Sequence, residues 1–418
     1  MKRFRNTIIL SVLLALTLCV GAQAAENTML KVGLKYGTNA LFTARLQNYN
    51  DTLSGSGYEF GYYDADRSFV PLAATDEQRI TVTVDSNAYV SGGVCYETRP
   101  TNYSTILGAY HIELLTAFGS YEEALSVAQS YPKGFVAYID GAYRVRVGNH
   151  ASYDESARVL SETDVLAYGA QVVTPSSTGV VVSVTDTDTV LFEFDCSGLR
   201  SLGVRPRSVS GEKTVTWFSG YRYYGGFEYQ RVSGGNINVI NVVDLEDYVK
   251  CVIPWEMSKD WPVEALKAQA VCARTYAVCQ TKHRAQGFDI CATTHCQVYQ
   301  GTAASGANSD AAVDQTAGEF LYYSGRLVQE AVYYSSNGGA SEDSLNVWGN
   351  DVGYLKGKID PYEGKIASII PRYNWSTTFT ASELTTLLNN RGYGIGTVKN
   401  AYVSAYTDTG NVYSVTFT

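Results

Sequence analysis

Positive charge is in deficit: 32 Lys and Arg stand against 41 Asp and Glu, for a formal net charge of −9. A surface of that sign repels nucleic-acid backbones and anionic lipid, which excludes both as principal partners. Cysteine is sparse, eight scattered residues in 418, so the chain is not built on a disulfide scaffold. Histidine is scarcer, with four residues, and any two that cluster draw attention. Several catalytic signatures are missing altogether: the Walker A loop, the GxSxG elbow and the HExxH helix. Their absence removes phosphate-loop, α/β-hydrolase and zincin chemistry.

Tyrosine, in contrast, is abundant, with 33 residues against 14 Phe and 5 Trp. With many Gly, Ser and Thr, it suits a wet surface that stacks on sugars or other polar polymers. The first residues, MKRFRNTIILSVLLALTLCVGAQAAENT, combine a basic start, an apolar run of about 13 residues and a small-x-small site at Ala22-Gln23-Ala24. This predicts a secretory signal over 1–24 and an exported mature protein. The run is shorter than the roughly 20 residues of a membrane span, so an uncleaved anchor is the competing reading and would be the chain's sole link to a membrane. A lipoprotein site at Cys19 is disfavoured by Leu18, which is not small. Losing Lys2, Arg3 and Arg5 with the signal would move the charge from −9 to −12.

Four segments follow from patterning. Residues 25–108 alternate like short strands broken by Gly, Asn and Asp. Residues 109–175 read as β-α-β-β-α-β. Two helices there begin with a Ser and a Glu spaced as capping boxes (Ser120 and Glu123, Ser152 and Glu155), and a hairpin turns at Asp140-Gly141. Residues 176–418 begin with Gly-turned hairpins. They then give a short helix at 243–253 stopped by Pro254, and a long helix capped by Asp260 and ending at Gly287, whose alanines 265, 268, 270, 273 and 277 predict a buried central helix. The chain ends in what reads as mid-strand.

Two constellations carry chemistry. Glu256 lies between Trp255 and Met257, with Trp261 close behind. Were those side chains to pack around it, lost hydration would favour the protonated carboxyl that a general acid requires; a solvated acid near a helix start is the plainer reading. The second is HRAQGFDICATTHCQVYQG, which places His283, Cys291, His295 and Cys296 within 14 residues. Thiolates and imidazoles at loop spacing suit tetrahedral Zn²⁺. Adjacent His295 and Cys296 need a bulge, or a water as fourth ligand, because neighbouring strand residues face opposite ways. A Cys291–Cys296 disulfide competes. Gln297, Tyr299, Ser335 and Ser336 offer amide and hydroxyl groups suited to sugars, and Gly338 and Gly339 permit close backbone approach; a tight turn satisfying its own backbone is the alternative.

The segments VVDLEDYVKCVIPWEM, WPVEALKAQAVCARTYAV, CQVYQG, AAVDQTAGEFLYYSGRLVQEAVYYSSNGGASE and VWGNDVGYLKGKIDP resemble the SpoIID/LytB family over about residues 240–362. The YHIELLTAFGSYEEA and YRVRVGNHASYDESA stretches resemble the SPOR domain, a module that binds peptidoglycan glycan strands stripped of stem peptides. Together they imply an α+β protein, with a β-rich SpoIID-like catalytic domain around a long central helix and a SPOR-like insertion at 109–175. The resemblance implies an exported lytic transglycosylase of the cell wall. It would cleave the bond between N-acetylmuramic acid and N-acetylglucosamine to a 1,6-anhydro product, with Glu256 in the position of the family's essential glutamate. It also implies a structural zinc at the His/Cys cluster and an amidase as a possible partner. The alternatives are a non-catalytic activator of an amidase and a purely structural glycan-binding protein.

Overall fold

A computed structural model describes residues 29–50, 53–162, 169–208, 211, 213–232 and 235–418. The expected signal segment lies outside these residues. No described helix is long and apolar enough to cross a membrane. The chain is α+β and divides into two compact units, one of the described residues up to Leu321 with Leu327–Ala331, the other of Tyr322–Arg326 with Val332–Thr418. The segment expected as a single catalytic domain, 176–418, is therefore divided between them.

Two large sheets organise the first unit. In the eight-stranded sheet, Ile290–Cys291, Met29–Lys35, Ile237–Asp244, Gly226–Arg231, Leu202–Ser208 and Leu53–Tyr63 are successive neighbours. The central strand INVINVVD is buried at seven of its eight positions, as befits a strand covered on both faces. Phe60 of this sheet stacks on Phe192 of the other, with ring centroids 5.6 Å apart. Both rings are fully buried, so the two sheets share one apolar core.

Residues 110–173 form the expected β-α-β-β-α-β order, with strands Tyr110–Leu114, Gly134–Ile139, Ala142–His150 and Ala170–Val173 and helices Tyr121–Ala128 and Tyr153–Glu162. Its strands lie fourth, first, third, second across the sheet, the arrangement of a split β-α-β. Local chemistry explains the starts. Ser120 Oγ accepts from Glu123 N while Glu123 accepts from Gly119 N, and Ser152, Glu155 and Ala151 repeat the pattern. Asp140 and Gly141 both take positive φ (47° and 88°), as a type I′ hairpin requires. The motif does not close on itself: Gly134–Ile139 pairs in parallel with Val190–Asp195, extending the sheet to ten strands. An edge that would otherwise be exposed is thereby paired.

The two helices expected between residues 243 and 287 both differ from expectation. The first, Leu245–Glu256, is capped by Asp244, whose carboxylate accepts from Glu246 N and Asp247 N, and it continues through Pro254. Proline removes the bond to the carbonyl four residues back and crowds that carbonyl, but so near the end the helix still lasts two more residues. The second, Val263–Cys279, has Pro262 at its N-cap with no side-chain bond, so Asp260 does not cap it. It stops at Cys279, where Gln280 turns extended. Gly287, at φ 85°, instead closes the short 3₁₀ turn Arg284–Gln286. Ala270, Ala273 and Ala277 are buried as expected, whereas Ala268 is exposed and Ala265 half-buried.

Candidate active site and metal cluster

Glu256 is the last residue of the helix Leu245–Glu256 and is exposed. Trp255 and Trp261 are exposed too, at 40% and 51%, and Met257 is half-buried. The aromatic burial suggested by the sequence therefore does not form: a chain leaving a helix end has no second element to press those rings inward. The helix itself is held firmly. Tyr248, Val249, Cys251, Val252 and Ile253 are all buried, and Arg274 of the long helix, fully buried, pairs with Glu246 in its first turn through Nε (2.9 Å) and Nη2 (2.6 Å).

Gln297 and Tyr299 brace this helix and do not face solvent. Each is 1% exposed. Tyr248 OH donates to Gln297 Oε1 at 3.0 Å, Tyr299 OH donates to Asn241 Oδ1 at 2.7 Å, and the Tyr248 and Tyr299 rings lie 4.9 Å apart. Their expected role in contacting sugar is thus corrected to one of support. Amide and phenol groups fit a buried network as readily as a sugar, and sequence alone does not separate the two.

His283, Cys291, His295 and Cys296 do come together: one ligand atom from each lies within 4.8 Å of all the others. Cys291 is placed by its strand, which runs parallel to Met29–Lys35 with Gly33 opposite. Asp289, just before it, accepts from Lys31 N and from both Arg67 guanidinium nitrogens at 2.7 Å. His283 stacks on Phe288 at 4.8 Å. Gly33 makes that possible, because a Cβ there would meet the Phe288 ring at 2.5 Å. His295 and Cys296 lie in a turn closed by Cys296 N donating to Thr293 O at 3.0 Å, which settles how adjacent residues converge. His295 Nδ1 is 3.7 Å from Cys291 Sγ and 3.6 Å from Cys296 Sγ. The two cysteines are free thiols.

The donor chemistry fits a tetrahedral thiophilic ion. The Gln286 amide oxygen accepts from His283 Nδ1 at 2.6 Å, which leaves Nε2 as the lone-pair nitrogen. That Nε2 is buried with no hydrogen-bond partner. Burial alone would raise the Cys291 thiol, but hydrogen bonds from Thr293, His295 and Cys296 pull it down to about 6, and a thiolate is the form that ligates. Burial and the neighbouring Cys291 push Cys296 up to about 11; a cation between the two would reverse that preference.

Ser335, Ser336, Gly338 and Gly339 belong to the second unit. Ser335 and Ser336 are exposed, but the loop is organised around Glu363, which the sequence did not single out. Asn337 N and Gly339 N donate to the Glu363 carboxylate at 3.1 and 2.9 Å, and Asn337 Nδ2 donates to Asp360 at 3.0 Å. Gly338 and Gly339 take φ values of 69° and 105°, which lets the Asn337 and Gly339 amides turn towards one anion. The Ser336 hydroxyl and these two amides hold Glu363 below the ordinary carboxylate range. A depressed carboxylate stabilises the fold above its unfolded pKa and loses that contribution as pH falls through the folded value. Relative to their intrinsic exchange rates, the Asn337 and Gly339 amides should accordingly be protected at neutral pH and lose that protection as acid protonates Glu363; protection that does not change with pH would show the cradle to be unimportant.

Comparison with known proteins adds the following. The SpoIID family model, described as Stage II sporulation protein, matches residues 233–323. The chain is 35% identical over 234 residues to an uncharacterized protein of Brachyspira hyodysenteriae, a match covering 54% of this chain and 61% of that one. It is 41% identical over 138 residues to the amidase enhancer of Bacillus subtilis, covering 33% and 18% of the two chains. It is 31% identical over 157 residues to Stage II sporulation protein D of the same organism, covering 34% and 44%. The chain thus spans less than two thirds of the length of each of these relatives.

Proposed function

Residues 233–323 place the chain in the SpoIID/LytB family, and on that premise we propose that it is an exported, cell-wall-associated lytic transglycosylase acting on peptidoglycan glycan strands that have lost their stem peptides. The observation that carries the reading is the presentation of Glu256. It is an exposed carboxyl at the end of a largely buried helix, flanked in sequence by Trp255 and Trp261, whose rings are exposed. Exposed indoles give stacking faces for pyranose rings. The helix also turns its negative dipole end towards the carboxyl, which suits a group that must hold a proton before the bond breaks.

Glu256 would protonate the glycosidic oxygen as the bond from N-acetylmuramic acid to N-acetylglucosamine opens. As carboxylate it would then take the proton of the muramyl C6 hydroxyl, which closes on C1 to give the 1,6-anhydro sugar. The substrate supplies its own nucleophile, so the second carboxylate of ordinary glycosidases is not required. We assign His283, Cys291, His295 and Cys296 as ligands of a structural Zn²⁺. Cys296 immediately precedes Gln297, so an ion there would fix the segment that braces the Glu256 helix. The split β-α-β of residues 110–173, SPOR-like in sequence, would hold denuded glycan.

A second reading, activation of a cell-wall amidase without catalysis, is favoured by the likeness to a protein named amidase enhancer. Mass spectrometry of amidase-stripped peptidoglycan after incubation with the mature protein separates the two. Anhydro-muramyl ends are expected. New reducing ends would indicate hydrolysis by water, and no cleavage together with a stimulated amidase would establish the activator. For the cluster, cobalt-substituted protein should show a thiolate-to-metal charge-transfer band that Cys291→Ser weakens; a band unaffected by that change would rule the assignment out.

A further inference from the structure

Among the described residues a second group has its ligand atoms within 4.8 Å of one another: Asp85, His111 and Glu193. It lies outside the His/Cys cluster and is far more enclosed, its members being 3%, 1% and 0% exposed. Asp85 follows the strand Arg79–Val84, His111 is on Tyr110–Leu114 and Glu193 is on Val190–Asp195, so the group draws on segments before, within and after the split β-α-β.

Each residue is fixed by one atom and leaves another unused. Gly148 O accepts from His111 Nδ1 at 2.6 Å, so that nitrogen carries the proton and Nε2 has the lone pair. Ser176 N donates to Asp85 Oδ2 at 2.6 Å. Glu193 Oε1 accepts from Arg146, which also donates to Glu113. The remaining atoms, His111 Nε2, Asp85 Oδ1 and Glu193 Oε2, are all buried without a hydrogen-bond partner. Three buried acceptors facing one point form a costly arrangement unless a donor or cation sits among them. His111 Nε2 and Glu193 Oε2 are 3.9 Å apart, too far for a hydrogen bond but within the reach of two ligands at about 2.0–2.2 Å from a shared ion.

We propose that Asp85, His111 and Glu193 form a second metal site that holds a zinc-class divalent transition ion and ties the split β-α-β to the strands on either side. One imidazole and two carboxylates suit Zn²⁺, Mn²⁺ or Fe²⁺; the imidazole argues against Mg²⁺ and Ca²⁺. The charge balance agrees: the acidic side chains Asp85, Glu113 and Glu193 outnumber Arg146 and Arg231 around the group.

The test uses the mature full chain with Cys291→Ser and Cys296→Ser, which disables the other cluster, grown in zinc-supplemented medium and assayed for bound metal by elemental mass spectrometry. About one equivalent of Zn, Mn or Fe is expected. Adding Asp85→Asn should remove it and lower the melting temperature by several degrees while far-UV circular dichroism is retained. Should the cysteine variant fail to fold, the otherwise unmutated chain should lose about one equivalent on Asp85→Asn or His111→Gln, with its cobalt–thiolate band intact. Metal content unaffected by Asp85→Asn, or none in the cysteine variant, would overturn the site. That outcome is independent of the glycan reading, because neither Glu256 nor the thiolates take part.

Discussion

Glu256→Gln is expected to lower the yield of anhydro-muramyl ends by about 10²–10⁴-fold, the usual contribution of a positioned general acid and base. A single residue serving both proposed steps would put the loss in the upper part of that range. The amide is nearly isosteric and the side chain is exposed, so thermal stability should be unchanged and glycan binding, measured by co-sedimentation with stripped sacculi, should persist. Trp255→Ala and Trp261→Ala would act differently. If their rings stack on sugar, they should raise KM more than they lower kcat. Full cleavage by Glu256→Gln would end the catalytic assignment whatever product was found.

Much of this was legible in residue patterns because the signals were local. Ser120 with Glu123, Ser152 with Glu155 and Asp140 with Gly141 each act within four residues, and the β-α-β-β-α-β order followed from them. The His/Cys quartet was visible because rare residues clustered within 14 positions. What escaped was set by distant partners. Gln297 and Tyr299 look like sugar ligands until Tyr248 and Asn241, some 50 positions earlier, are seen to take their polar groups. The Arg67–Asp289 pair that anchors the segment carrying the His/Cys quartet spans 222 positions. Asp85, His111 and Glu193 sit on strands whose adjacency depends on the whole sheet, and nothing in their spacing announces them. Glu256 was singled out for a reason that does not hold, since the tryptophans expected to bury it are exposed.

Glu246→Ala is expected to destabilise the first unit by about 3 kcal/mol, the lower end of the cost of breaking a buried ion pair. Arg274 is fully buried, while the Glu246 side chain keeps 26% of its exposure. Removing the carboxylate would leave the guanidinium with only the Glu319 and Val313 carbonyls and Thr316 Oγ1, and Gly318 N without its acceptor. The urea midpoint should fall with the slope unchanged. A paired replacement, Glu246→Leu with Arg274→Met, should recover most of the loss, because an apolar pair avoids the desolvation of two charges. Glu246 lies in the first turn of the helix whose last residue is Glu256, so the same pair tests what the ion bridge does for catalysis. Stability regained together with full activity would make the bridge a matter of folding alone. Stability regained with kcat still depressed and KM unchanged would make Arg274 a positioning residue, one that sets the angle at which the helix presents Glu256 to the glycan.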